Sequence, residues 1–136
     1  MKGGKKMKNV RTKLAKSNPY YISDYRRKEL KYFCLQYKEK ASYINSIEIG
    51  KGQTEWDDPT GEAAVKRVIY ERDIKLIIET AKISGGEIWQ YLFKAVTEDL
   101  SYVNLSTKYY IPCSRDYYYE RYHKFWYLLS RKEQMF

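Results

Sequence analysis

A stretch near the C-terminus concentrates the hydrogen-bonding side chains of this 136-residue chain. It reads LSYVNLSTKYYIPCSRDYYYERYHKFWYLLSRK from residue 100 to residue 132. Arg and Lys donate hydrogen bonds to phosphates, and Arg also matches the acceptor edge of a guanine base. We expect a helix in the second half of the stretch to present such groups outward, namely Arg115, Tyr117, Tyr119, Arg121, His123 and Lys124.

Two serines and a proline divide this stretch into a short helix, a turn and a longer helix. Ser101 can cap a helix over 102–109, Pro112 stops that helix, and Ser114 can cap the next one. This spacing is typical of the helix-turn-helix, whose first helix crosses the DNA backbone while the second enters the major groove. The positions expected to face inward are Val103 and Leu105, then Tyr118, Tyr122, Phe125 and Leu129.

The stretch from Leu100 to Leu129 resembles the region-4 helix-turn-helix of sigma factors. The shared features are the leucine-serine-aromatic start Leu100-Ser101-Tyr102, Ile111 before the turn, and Arg121 three places after the inward Tyr118. Asn104-Leu105-Ser106 departs from the sigma pattern, which has glutamate-isoleucine-alanine there. The resemblance implies DNA binding and does not carry over promoter choice.

A wider resemblance covers most of residues 18–130. The segments NPYYISDYRRKELKYFCLQY, YLFKAVTEDLSY and IPCSRDYYYERYHKFWYLL are similar to small uncharacterised proteins of Gram-positive phages and prophages. Those proteins share size and layout with late-transcription regulators of the RinA and ArpU type, and the likeness to the named regulators is confined to the last third and the layout. The resemblance implies a transcriptional regulator in the cytoplasm of a bacterial host, with RNA polymerase as a further partner.

The residues expected to bind double-stranded DNA lie in both helices of the motif. Contacts from Ser, Tyr and Lys to phosphates set position, whereas Arg reads base edges. The set comprises Ser101, Tyr102 and Lys108 from the first helix, and Ser114, Arg115, Tyr117, Tyr119, Arg121 and Lys124 from the second.

The net charge of +9 is concentrated at the two ends of the chain. Residues 1–16 hold seven basic residues and no acid, residues 17–99 hold thirteen basic and fourteen acidic, and residues 100–136 hold six and three. A polyanionic partner explains basic ends, and so does solubility alone. We expect residues 1–18 to be a disordered basic arm that tracks phosphates or enters a minor groove.

The remaining chain predicts an all-α fold, a helical bundle with a C-terminal helix-turn-helix at about 100–131. The chain has only three Pro and seven Gly, too few turn-forming residues for the many turns of a β-rich fold. We expect residues 19–136 to form one domain. We expect a helix from Ser23 that kinks near Tyr37, an exposed loop at 50–60, a helix from about Gly61 to Ile83, and a third helix ending near Asp99. The predicted core positions are Leu30, Phe33, Cys34, Tyr37, Ala41 and Ile44, then Ile74, Ile77, Ile78 and Ala81, then Ile88, Leu92, Ala95 and Val96.

Enzymatic and metal chemistry lack the residues that they need. His123 is the only histidine, and we expect it at the surface or against DNA because no carboxylate orients it as a base. Cys34 and Cys113 read as reduced thiols, and the acidic residues at 55–58 lack the spacing of a calcium loop. We predict no catalysis, cofactor or metal, and no membrane partner, since no apolar run reaches about 18 residues.

Three other functions fit the same elements. A small terminase subunit also joins a helix-turn-helix to helical assembly segments, and it would form a ring of many subunits. A helical interaction scaffold would never touch DNA, and a homo-oligomer suits either reading. Trp56, Trp89 and Trp126 could stack single-stranded bases, but at helical spacing we place Trp89 and Phe125 in the core first.

Overall fold

The computed structural model describes residues 14–49 and 61–133, and in these ranges the chain is helical without a β-strand. The predicted all-α class is confirmed. Residues 1–13 of the expected arm, the expected loop at 50–60 with its acidic residues, and Trp56 lie outside the described residues. The helices are α1 (Asp24–Leu35), α2 (Tyr37–Ile49), α3 (Glu62–Gly85), α4 (Trp89–Glu98), α5 (Tyr102–Tyr109) and α6 (Arg115–Glu133), with a 3-10 turn at Gly86–Ile88.

The long helices α3 and α6 pack against each other and form the centre of the bundle. Helix α4 packs on α3, α1 packs on α4 and α6, and α2 packs on α3. Burial of a large apolar side chain contributes about 1.5–3 kcal/mol, so this shared core is the main source of stability. Its fully buried side chains include Leu30, Ile77, Leu92, Leu105, Tyr118, Phe125 and Leu129.

The first predicted helix is two helices that meet at Gln36. Ser23 caps α1 as expected, because its hydroxyl accepts a hydrogen bond from the Arg26 amide at 3.2 Å. At Gln36 the amide bonds to the Phe33 carbonyl at 3.3 Å, a tighter turn than the α-helical one. The break lets α1 contact α4 and α6 while α2 contacts α3.

The corner between α3 and α4 depends on two glycines. Helix α3 runs through Gly85, two residues beyond the expected end at Ile83. A Cβ atom on Gly85 would lie 3.1 Å from the Trp89 Cβ and 3.3 Å from Leu92 Cδ2, so the side chains of α4 occupy that space. Gly86 has a φ of 57°, a left-handed value that glycine adopts without strain.

Residues 14–18 of the expected arm form a turn beside α6. The Asn18 amide bonds to the Ala15 carbonyl at 2.9 Å, and the Asn18 side chain accepts from the Tyr20 amide at 2.8 Å. The Tyr20 ring packs on the Tyr127 ring of α6, with centroids 5.7 Å apart. None of the helices in the described ranges is long and apolar enough to cross a membrane.

Candidate nucleic-acid interface

Both helices of the predicted motif begin at a serine cap. The Ser101 hydroxyl accepts from the Asn104 amide at 3.2 Å, and the Ser114 hydroxyl accepts from the Tyr117 amide at 3.3 Å. Helix α5 ends at Tyr109, and the following Tyr110, with a left-handed φ of 53°, turns the chain towards α6. Both serines are exposed, so the first turns of α5 and α6 are open to solvent.

Tyr102 fixes α5 against the start of α6. Its hydroxyl donates to the Cys113 carbonyl at 2.7 Å, which pins the turn between the helices. Its ring lies 5.4 Å from the Tyr118 ring, and its amide donates to the Tyr119 hydroxyl at 3.4 Å. Ile111 is also buried in this turn, so the two helices hold one fixed relative position.

The expectation that Val103 faces inward is wrong. Val103 is 58% exposed, whereas Leu105 is fully buried. Residues two apart in an α-helix do not share a face, so a short helix with one buried face cannot bury both. Of these two residues, only Leu105 anchors α5 to the core.

Arg121 leans towards the corner between α3 and α4. Its Nη2 donates to the Tyr117 hydroxyl at 2.9 Å, and its guanidinium lies 4.7 Å from the centroid of the Tyr117 ring. The Tyr117 hydroxyl in turn donates to Glu87 at 3.4 Å. A Cβ atom added to Gly86 would lie 4.0 Å from Arg121 Nη1, so the guanidinium rests beside the glycine corner.

The two arginines of the predicted site keep unused hydrogen-bond donors. Nη2 of Arg115 and Nε of Arg121 are buried and have no hydrogen-bond partner among residues 14–49 and 61–133. A buried donor without a partner is unfavourable by about 1–3 kcal/mol, so such donors are uncommon in a purely structural role. Both side chains are half-buried.

Lys108 is exposed but already paired. Its Nζ lies 2.9 Å from Glu98 Oε1, and the Tyr109 hydroxyl donates to the same carboxylate at 3.0 Å. Burial raises the pKa of Glu98, but these hydrogen bonds and the charges of Lys108 and Lys38 outweigh it and hold the pKa below the ordinary 4.5. The hydrogen bond to Glu98 raises the pKa of Lys108. Contact with a phosphate therefore requires Lys108 to leave Glu98.

Tyr119 and Lys124 are half-buried, and Tyr119 belongs to an aromatic cluster rather than to an open face. Its ring packs on the rings of Tyr102, Tyr118 and Tyr122 at centroid distances of 6.2, 5.0 and 5.4 Å. Tyr119 lies on the predicted second helix, but its ring packs against other aromatic rings there.

The expectation of a surface His123 is wrong. His123 is only 8% exposed and packs against the rings of Tyr119 and Tyr122, at 6.2 and 5.5 Å. Residues 14–20 lie over this side of α6 and share two grooves with His123. The periodicity of α6 alone gave no sign that a distant segment covers its third face.

Sequence reasoning also missed polar residues that the fold leaves in the open. Asp116 and Glu120 are exposed one turn apart on α6, and Asn104 and Thr107 are exposed on α5. Tyr110, at the start of the turn, is 83% exposed. Asp116 and Glu120 line the groove that residues 14–20 form with α6, whereas Arg121 lies towards the glycine corner, and the spacing of Asp116 and Glu120 at i and i+4 was the available signal.

Neither thiol is activated. Burial raises the pKa of Cys34 far above its ordinary value, although the charge of Lys40 opposes the shift. Burial also raises the pKa of Cys113, in the turn before α6. The two cysteines do not form a disulfide. Among the described residues, no group of three His, Cys, Asp or Glu side chains is suited to a metal ion.

Comparison with family models, curated proteins and solved structures gives no match to this chain. Function must therefore be argued from the geometry and chemistry of the site itself.

Proposed function

We propose that this protein binds double-stranded DNA in a sequence-specific manner, with α5 and α6 acting as a helix-turn-helix. The observation that carries the proposal is the pinned pair of helices: Tyr102 ties α5 to the turn at Cys113, while Ser101 and Ser114 leave both helix starts exposed. In a helix-turn-helix the second helix meets bases with its N-terminal residues, which here are the first turns of α6.

The helix starts suit phosphate. The first amides of a helix point outward and carry partial positive charge, so a backbone phosphate binds there without further cations. Ser101 on α5 and Ser114 on α6 each add a hydroxyl at such an end. These contacts fix the register of the protein on the duplex, together with Lys108 once it exchanges Glu98 for a phosphate.

Arg115 and Arg121 are the proposed base readers. Both side chains are partly exposed in the first two turns of α6, and arginine forms two parallel hydrogen bonds with guanine. Tyr117 supports Arg121 by stacking on it and accepting its Nη2 hydrogen bond. An arginine held in this way loses less side-chain entropy when it meets a base.

Asp116 and Glu120 add a selective element to the exposed surface of α6. Carboxylates repel phosphates and accept hydrogen bonds from the amino group of cytosine. Two carboxylates on the same helix as the two arginines thus reduce nonspecific attraction to the backbone. This charge mixture fits a transcriptional regulator that selects an operator, in line with the resemblance to phage regulators.

Fluorescence anisotropy with duplex fragments of the genome that encodes the chain, across a salt series, tests the proposal. Arg115→Ala/Arg121→Ala should weaken binding to the preferred fragment by about 1–3 kcal/mol per arginine and flatten the preference. Lys38→Ala/Lys75→Ala removes the same charge from exposed positions on α2 and α3 and should preserve the preference.

Far-ultraviolet circular dichroism verifies that each variant is folded before binding is compared. Absence of binding at low salt, or a preference that survives the double arginine substitution, overturns the proposal and leaves the interaction scaffold. Sedimentation adds a second criterion, because a ring of many subunits would favour a terminase subunit over a regulator.

A further inference from the structure

A cavity of about 380 Å³ lies behind the proposed DNA-binding helices. Its walls come from α1, from the corner between α4 and α5, and from the first three turns of α6. Small-molecule sites in proteins have volumes of about 300–1,000 Å³, so this space suits a compact ligand. Every residue on its walls belongs to the described chain.

One wall holds a buried hydroxyl that no described residue satisfies. Tyr118 is fully buried, and its hydroxyl has no hydrogen-bond partner among residues 14–49 and 61–133. Burial is the main cause that raises the pKa of Tyr118 well above its ordinary value, so the hydroxyl stays neutral and remains a donor. Tyr118 lines the cavity, and an unsatisfied buried donor is unfavourable, so an acceptor that reaches it from the cavity would be stabilising.

Two cations line the opposite wall, one helical turn apart on α1. Arg27 Nη2 lies 3.0 Å from Asp24, and Lys31 Nζ lies 3.4 Å from Asp99. The Asp24 and Asp99 side chains are 41% and 57% exposed, so water screens both pairs and a ligand can replace them. Burial raises the pKa of Tyr122, while Arg27 and Lys31 lower it, which places both charges near the aromatic wall.

The rest of the lining mixes apolar side chains with polar ones, namely Asp99, Ser101 and Asn104. Val96 and Leu100 come from the corner between α4 and α5, and Trp126 comes from α6. Val96 and Trp126 are each 3% exposed. The apolar part of this lining gives a flat hydrocarbon body a surface to pack on, which a fully hydrated inorganic ion does not use.

We propose that this cavity binds a small organic anion, a carboxylate or phosphate ester on a compact aromatic body. Arg27 and Lys31 hold the anionic group, the Tyr118 hydroxyl donates to it, and the body packs on Val96 and Trp126. Binding at this site does not require DNA. An effect of the bound anion on DNA affinity rests on the proposed function, because Ser101, a proposed phosphate contact at the start of α5, also lines the cavity.

Isothermal titration of the full chain without DNA tests the proposal with three probes: benzoate, phenyl phosphate and neutral benzamide. We expect both anions to bind at least about tenfold more tightly than benzamide, because a charged hydrogen bond is worth at least that factor. Arg27→Gln/Lys31→Gln should weaken the anions by about tenfold or more. Lys28→Gln, an exposed position on the same helix outside the cavity, should leave affinity within about twofold.

Tyr118→Phe separates ligand binding from folding. The hydroxyl has no partner in the free protein, so its removal should leave the melting temperature unchanged or higher while anion affinity falls about three- to tenfold. Unchanged affinity in this variant overturns the proposal, as does equal binding of benzamide or the absence of binding up to about 10 mM. Inorganic phosphate that binds as tightly as phenyl phosphate overturns the organic assignment and points to a bare phosphate, as in a DNA backbone.

Discussion

The buried charged groups on α2 and α3 are paired, whereas several buried polar groups on α6 are not. Lys40 and Asp73 are 5% and 6% exposed, and their charged atoms lie 3.0 Å apart. Arg72 holds the second Asp73 oxygen at 3.1 Å, and Lys40 Nζ also lies 4.3 Å from the Phe33 ring centroid. Each charge in this pair is compensated from within the chain.

The first half of α6 differs. Nη2 of Arg115, the Tyr118 hydroxyl and Nε of Arg121 are buried without a hydrogen-bond partner in the described residues. Thr80 Oγ1 on α3 is also buried without a hydrogen-bond partner, so the two regions differ in how many such atoms they hold. An orphaned buried donor costs stability, so a concentration of such donors at the start of α6 favours a site that a further group completes, whereas a paired charge indicates a structural role.

The largest expected effect concerns the paired region. Asp73→Ala leaves the Lys40 ammonium buried without its carboxylate and should destabilise the fold by about 3–5 kcal/mol. Urea denaturation followed by circular dichroism measures this. An exposed ion pair on the same helix supplies the control: Lys75→Ala, beside Glu79 at 3.9 Å, should cost less than about 1 kcal/mol.

The double variant Lys40→Met/Asp73→Leu sharpens the same contrast. Replacement of both charges by apolar side chains of similar size should restore most of the lost stability, because neither leaves a buried charge behind. If the single and double variants are equally unstable, the pair is held by packing rather than by charge, and the distinction between the two regions fails.

A smaller effect separates two tyrosines of the aromatic cluster. Tyr102→Phe removes a hydroxyl that donates to Cys113 at 2.7 Å and should destabilise the protein by about 0.5–1.5 kcal/mol. Tyr118→Phe removes a hydroxyl without a described partner and should be neutral or stabilising by up to about 1 kcal/mol. Thermal melts of both variants decide this, and equal losses would mean that the Tyr118 hydroxyl is satisfied in solution.

The smallest expected effect is a pH dependence of stability that arises from Glu98, which is paired with Lys108 and Tyr109. The folded pKa of Glu98 lies below its ordinary 4.5, so its contribution is present above that value and is lost as the pH falls through the folded pKa. Melting curves at about pH 6 and about pH 3 should show Glu98→Gln to be less stable than the wild type only at the higher pH, by less than about 1 kcal/mol. A constant difference would assign the effect to packing.

Local rules in the sequence determined the helical class and most of the helix starts. Ser23, Ser101 and Ser114 cap helices as predicted, because a cap needs only a side chain and an amide three residues later. The inward stripes of α4 and α6 were also correct, since helical periodicity fixes which residues share a face. Ile88, Leu92, Ala95 and Val96 are all buried.

Only the tertiary structure decided which faces are covered and what they enclose. Arg26 bonds Ser130 through both its Oγ, at 3.0 Å, and its carbonyl, at 3.1 Å, across 104 residues of sequence. This long-range docking of α1, with residues 14–20 beside it, buries His123 and creates the wall of Arg27 and Lys31 behind α5. Helical periodicity identified the inward stripe of α6, but aromatic residues lie all around this helix. Which of its other sides are covered depended on segments about a hundred residues away.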